Sequence, residues 1–184
     1  MLAEKANERG AAIDVRPDFV AVCREINEQL SHEQLQEIAS EVVLEREVVP
    51  TAMLRLLARV LSRKLLTSNY DDATERSIDA IGLTPRRIGP KDAAALGEPE
   101  EREVFVIHVH GLAEEPSSIV LPGASLNALA EDEAFLNWLR GVLAPHTVLY
   151  LGYRFAPEDD RSPSSRVRRS AFEFSEQPPL SWAC

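Results

Sequence analysis

Cysteine is nearly missing from this 184-residue sequence: only Cys23 and Cys184 occur, far apart and without a Cys-x-x-Cys. That pattern excludes a disulfide framework and a cysteine-rich zinc site, and it suits two free thiols in a reducing cytoplasm. Long apolar runs are missing too. Nothing approaches the roughly 18 consecutive apolar residues of a spanning helix, and no charged-then-apolar leader is present, so a cytoplasmic protein without a membrane segment is expected. Positive charge is in short supply, with 20 Lys and Arg against 30 Asp and Glu and a formal net charge of −10. Direct nucleic-acid binding needs the opposite footprint, because affinity there comes from displacing counterions off phosphates.

What is present suffices for a core. The chain is 45% hydrophobic and 27% charged, the balance of one ordinary globular domain with room for a tail. After a polar, small-residue start, Phe19, Val20, Cys23, Ile26 and Leu30 recur at helical spacing behind Pro17, which suits a helix start. Ser31 opens "SHEQ", a Ser-x-x-Gln capping box for a second helix running to about Arg46. A third helix fits "PTAMLRLLARVLS", with Met53, Leu56, Leu57, Val60 and Leu61 on one face. "KLLTS" reads as a short strand, followed by a helix that Asp71 or Asp72 caps and Gly82 ends. Thr84 to Arg102, with Pro85, Pro90 and Pro99, reads as a loop. "EVFVIHVHG" is the clearest strand, "SSIVLP" a further short one and "TVLYLGY" a third buried one. Helices fall at Ala124–Ala130 and Asp132–Leu143, the latter with Phe135, Trp138, Leu139 and Val142 inward. Strands alternating with helices predict an α/β fold built on a mainly parallel sheet. Beyond about Asp160 periodicity stops, so residues 161–184 are expected to be a disordered tail.

Ligands of open parallel sheets bind beyond the carboxyl ends of the strands. The three best strands here end in "TSNYD", "HVHG" and "LGYRF", each offering polar or glycine residues where a ligand would sit. Blander readings stand beside this one. Asn69, Tyr70 and Asp71 could serve only as turn and cap residues. His108 and His110 lie two apart on a strand and so face one side. They could ligate a metal, yet His32 and His146 are the only other histidines and neither has a recognisable ligand spacing. No metal site is therefore assigned, and one packed and one hydrogen-bonded histidine is the alternative.

In order and spacing these segments resemble sirtuin-like NAD-binding domains. "LLTSNYDDATERSI" resembles that family's Thr-x-Asn-Tyr-Asp segment, and "VFVIHVHGLAEEPSSIVL" its strand ending in His-Gly. "FLNWLRGVLAPHTVLYLGYRFAPED" is similar to the helix, strand and Gly-Tyr turn that close the nucleotide site. The resemblance covers about Val49 to Asp160 of a domain expected over residues 1–160. It is greatest to bacterial members without the zinc module, which fits the scarcity of cysteine. It implies a Rossmann-like sheet with flanking helices that binds NAD and cleaves its nicotinamide–ribose bond. Carried over by position, Asn69 contacts the ribose or a nearby water, Asp71 the nicotinamide carboxamide, His110 acts as the base, and Gly152 and Tyr153 line the adenosine side.

One departure stands out. The family opens with a strand and a Gly-Ala-Gly-type loop that holds the pyrophosphate, whereas the only early glycine here is Gly10 in "NERGAAIDVR". The sheet is accordingly expected to be incomplete at the N-terminus, with the chain truncated, diverged, or completed by another polypeptide. What the resemblance implies first is NAD hydrolysis, as in bacterial anti-phage defence. The alternatives are an NAD-dependent protein deacylase, a nucleotide-binding or interaction module without turnover, and, most distantly, a metal-dependent hydrolase on His108 and His110. The amphipathic helices from Pro17 to Leu61 lead to an expectation of self-association or a partner protein.

Overall fold

The computed structural model describes residues 1–15, 18–60, 63–89 and 97–145. The chain divides into two units, Met1–Gly123 and Ala124–Cys184.

The polar first residues form a helix, α1 (Leu2–Glu8), which buries Ala3 and Ala6. It ends in a double turn: the N–H of Ala11 donates to the Ala6 carbonyl and that of Gly10 to Asn7, at 3.1 and 3.0 Å. Gly10 takes φ +93° there, the left-handed position that glycine fills at a helix end. The helix α2 (Phe19–Gln29) starts at Asp18, whose carboxylate accepts from the Ala21 N–H. The helix α3 (His32–Leu44) carries the expected capping box, with both the Ser31 and Gln34 side chains engaged. The buried stripe of α2 is Val22, Cys23 and Ile26, while Phe19 and Val20 are exposed, so of the five apolar positions read from the sequence, Cys23, Ile26 and Leu30 pack inward and two do not. Together α1, α2 and α3 enclose one core containing Ile13, Ile26, Leu35 and Ile38, with Ile119 and Leu121 from further along the chain. Each fully buried aliphatic side chain there contributes roughly 1.5–3 kcal/mol. Ion pairs rim the α1–α3 contact: Lys5 with Glu45 at 2.6 Å, Arg9 with Glu37 at 2.8 Å, and Arg9 with Glu41. The helix α4 (Ala52–Val60) follows, and it leaves Met53 and Leu56 exposed.

Among the described residues, three strands form a parallel sheet in the order β1 (Lys64–Thr67), β3 (Glu103–His108), β2 (Thr84–Ile88). The fold is thus the expected Rossmann-like α/β type, a parallel sheet flanked by helices. In register, Thr67 lies beside His108, and Arg87 beside Val106. The helix α5 (Ala73–Asp79) joins β1 to β2 and packs Ile78 on Val104 and Val106, with Leu65 alongside. Since strand side chains alternate, His108 belongs to that same α5-facing row.

Two elements differ from the sequence reading. The segment read as a loop from Thr84 to Arg102 opens with β2. Proline is tolerated because β2 is at the edge of the sheet formed by the described residues. The Thr84 N–H donates inward to Arg102, so the position lacking an N–H, Pro85, faces away from β3. "SSIVLP" is not a strand. Pro116–Ser118 forms a 3₁₀ turn, and Ser118 Oγ accepts from the Leu112 N–H at 2.9 Å. This tight turn sends Ile119 and Leu121 into the helical core rather than the sheet.

In the second unit, α6 (Ala124–Glu131) and α7 (Glu133–Leu143) form where expected. Asp132 caps α7 by accepting from the N–H groups of Ala134 and Phe135. Phe135 and Leu139 are buried, and the Phe135 and Trp138 rings lie 5.6 Å apart. The expected strand "TVLYLGY" and the expected tail lie outside the described residues.

Replacing Ser31 by Ala removes one half of the α3 capping box and is expected to cost about 1 kcal/mol, read as a lower urea midpoint at unchanged slope. An unchanged midpoint would show that the cap contributes nothing here.

Candidate functional site

The carboxyl ends of β1 and β3 lie side by side, and their exit loops hold each other. The Val109 N–H donates to the Thr67 carbonyl, and the Ala113 N–H to that of Tyr70, both at 3.0 Å. Within the β1 exit, the Asn69 N–H donates to Thr67 Oγ1 at 3.0 Å, a local turn of the kind Thr supports. His108 Nδ1 lies 2.9 Å from the Asn69 carbonyl, and the Ser68 backbone lies close enough to His110 to act on its imidazole. Consecutive residues of one loop therefore meet the two histidines of the other.

Asn69 is exposed, and among the described residues its side-chain amide has no hydrogen-bond partner. Asp71 Oδ1 accepts from the Ala73 N–H at 3.0 Å, at the start of α5, leaving its second carboxylate oxygen for another contact. Tyr70 reaches the other way, donating from its hydroxyl to the Val120 carbonyl at 2.9 Å. Burial, with a smaller effect from nearby Cys23, pushes that phenol up to about 12, which keeps it a donor at neutral pH. His110 is half-buried, and burial holds its imidazole below its ordinary 6.5 against the upward pull of the Ser68 backbone. The ring is consequently neutral at pH 7, with one nitrogen donating and the other able to accept a proton.

Beneath this surface lies a charged chain that the sequence reading did not find. His108 is fully buried, and its Nε2 sits 2.8 Å from Glu75 Oε1. Arg87 Nε donates to that same oxygen at 2.8 Å, and Arg87 Nη1 to Glu114 at 3.0 Å. Burial pushes the Glu75 carboxyl up, but the hydrogen bond and charge of His108, Glu75's own backbone N–H and Arg87 outweigh it, leaving the group below its ordinary 4.5. Glu75 stands three residues before Ile78 on the inward face of α5, so its place in the apolar row was the available signal. Arg87 was hidden in the segment read as loop.

Gly111 sets the turn beyond His110. It takes φ +89°, and a Cβ there would lie 2.1 Å from the Ser118 carbonyl oxygen. From the helical side, Gln36 Nε2 donates to the Ile119 carbonyl at 2.7 Å and Ser40 Oγ to Ala113 at 2.6 Å. Both are buried, so α3 braces the His-Gly loop with satisfied polar contacts.

Of the residues singled out from the sequence, Asn69, Asp71 and His110 share one region at the ends of paired strands. Gly152 and Tyr153 lie outside the described residues. Both histidines of the His-x-His pair are engaged by backbone groups or Glu75, and no cluster of metal-binding side chains occurs among the described residues. Gly10 ends a helix rather than forming a phosphate-holding loop.

The family model for the SIR2-like domain matches residues 63–181. Two relatives, each called NAD(+) hydrolase ThsA, come from Cytobacillus dafuensis and Acinetobacter baumannii (strain 532279). The first is 26% identical over 91% of this chain and 34% of its own length, the second 28% identical over 85% and 32%. The chain thus spans about a third of the length of these curated relatives.

A Gly111→Ala change is expected to destabilise by about 3 kcal/mol, since both a forbidden φ and a backbone clash must be relieved. Denaturant unfolding measures this, and a loss no greater than that of an ordinary surface change would contradict the geometry. The Glu75 carboxylate has a folded value below its unfolded one. Its stabilisation is fully present above 4.5 and is lost as pH falls through the depressed folded value. Glu75→Gln should therefore be less stable than wild type at pH 7, with the gap closing in acid, a convergence that unfolding curves at a series of pH values would reveal or refute.

Proposed function

We propose that this chain, which belongs to the SIR2-like domain family, binds NAD across the carboxyl ends of β1 and β3 and hydrolyses it to nicotinamide and ADP-ribose. One observation carries this reading: paired parallel strands bring the exposed Asn69 amide and the neutral His110 imidazole into two loops that hold each other by hydrogen bonds. The hydrolase name borne by both relatives favours water over an acyl-lysine as the acceptor. The proposed setting, bacterial anti-phage defence, rests on the family resemblance.

The chemistry is dictated by the bond to be broken. As the C1′–N bond lengthens, its electron pair goes to the nicotinamide ring, which leaves neutral, and positive charge spreads over C1′ and the ribose oxygen. Water then bonds to C1′ and gives up a proton. Asn69 both donates and accepts through its amide, so it suits orienting a ribose hydroxyl or that water. The acceptor nitrogen of His110 takes the proton. The unengaged carboxylate oxygen of Asp71 suits the N–H of the nicotinamide carboxamide, holding the leaving group in line.

A second reading, a nucleotide-binding module without turnover, draws support from Gly10, which caps α1 instead of cradling a pyrophosphate. Self-association or a partner protein also belongs to the proposal: Val49, Met53 and Leu56 are apolar and exposed, and the relatives are about three times as long.

The deciding experiment monitors nicotinamide release from NAD by the full chain over a wide concentration range, beside calorimetry with NAD and ADP-ribose. Release is expected, with Asn69→Ala and His110→Ala each lowering kcat/KM about 100-fold or more. Since burial lowers the His110 value, the base is lost only as pH falls below 6.5, and the acid limb of kcat/KM should lie there. Binding without release selects the module reading, and neither binding nor release sinks both.

A further inference from the structure

We propose that His108 is the positioning residue of this site, fixing the Asn69 backbone from within the domain so that the Asn69 amide is presented in one orientation. The functional half of this inference rests on Asn69 as an NAD contact; the geometric half stands by itself.

The sheet row facing α5 runs Val104, Val106, His108, two aliphatic residues and then a fully buried imidazole. Packing alone is served by a third aliphatic, and burying a polar ring costs free energy unless both nitrogens are bonded. Here both are, and the partners differ in kind. Nε2 meets Glu75, which α5 supplies and Arg87 from β2 also binds. Nδ1 meets the carbonyl of Asn69. A carbonyl and an ionised carboxylate both only accept, so Nδ1 donates to Asn69 and Nε2 donates to Glu75.

The Asn69 N–H is at the same time committed to Thr67 Oγ1. Both backbone groups of Asn69 are thus held while its side chain stays exposed, the arrangement that preorganisation requires of a group that must orient a reactant. The chain Asn69–His108–Glu75–Arg87–Glu114 spans the β1 exit, β3, α5, β2 and the loop after β3. It ends at partly exposed Arg87 and exposed Glu114, where solvent shields the outer charges. Every strand of the sheet among the described residues is therefore tied to the placement of one exposed amide.

Two substitutions separate positioning from packing. The Nδ2 of Asn occupies the place of imidazole Nδ1, so His108→Asn keeps the bond to the Asn69 carbonyl and loses Glu75. The Nε2 of Gln occupies the place of imidazole Nε2, so His108→Gln keeps Glu75 and loses Asn69. Each removes one buried hydrogen bond, and the two are expected to melt within a few degrees of each other. Amide exchange at the Asn69 N–H should stay near wild type in His108→Asn and rise about tenfold or more in His108→Gln. For nicotinamide release, His108→Gln should lose about tenfold in kcat with KM nearly unchanged, while His108→Asn stays within about threefold of wild type.

Equal exchange in the two variants, or activity that simply tracks melting temperature, overturns the inference. A wild type that neither binds nor cleaves NAD defeats the proposed function, and the exchange comparison then decides the positioning role alone. Should either buried variant fail to fold, Arg87→Met at the rim takes its place. Faster Asn69 exchange in that variant supports the anchored chain, and unchanged exchange overturns it.

Discussion

Asn69, leaving β1, is held through its backbone carbonyl by His108 at the end of β3. A strand as short as β1 cannot by itself order the loop beyond it, because an exit loop has lost the ladder of hydrogen bonds that ordered the strand. The His108 side chain extends that order past the last paired residues, Thr67 and His108. The Val109 and Ala113 N–H groups then donate to the carbonyls of Thr67 and Tyr70, so the backbone from Thr67 to Tyr70 is almost fully accounted for. Asp71 closes the segment with a local turn, accepting from the Ala73 N–H at the start of α5. Polar backbone with settled partners can sit at a ligand site without collapsing onto it.

The helical half of the first unit works toward the same end. Its core takes in Ile119 and Leu121, and the buried side chains of Gln36 and Ser40 hold carbonyls on either side of the 3₁₀ turn. Tyr70 contributes a third such bond, to Val120. The His-Gly loop is consequently clamped between a sheet and a helical layer, and Gly111 permits the clamp because no side chain fits against Ser118. His110, the proposed base, is carried on this loop and so keeps its position when a neighbouring charge develops, which is where electrostatic preorganisation has its effect.

How much of this was legible in the sequence varies with the range of the forces. The Ser31 capping box and the Asp71 turn are local hydrogen-bond patterns, and both were readable. The strand "EVFVIH" was readable because β-branched residues in an unbroken apolar run leave few alternatives. Apolar faces were half readable: α2 and α4 show helical spacing, yet Phe19, Val20, Met53 and Leu56 stay exposed, since spacing gives a stripe and not what covers it. "TPRRI" was missed because proline signals a loop until an edge position is known. "SSIVLP" was misread because residues with strand propensity were recruited to a helical core, a decision made by packing. Asn69, Asp71 and His110 were singled out by their place at strand ends and by family resemblance, and the fold brings them to one region. Glu75 and Arg87 were not, because their pairing joins residues 12 apart across two elements whose adjacency only the fold creates.

The same chemistry bears on where the other half of a dinucleotide could sit. Helix N-termini bind pyrophosphate when their leading N–H groups and positive dipole end are available. At α2 the Asp18 carboxylate takes the Ala21 N–H and sets a negative charge at that end, while Gly10 is spent on closing α1. A second anion at the start of α2 would meet repulsion where the family pattern supplies attraction. On the proposed function, Asn69 and His110 serve the ribose and its leaving group, and among the described residues the start of α2 does not supply donors for the diphosphate. On that proposal affinity is the quantity most dependent on a partner or second copy, while the backbone placement of Asn69 is determined within this fold.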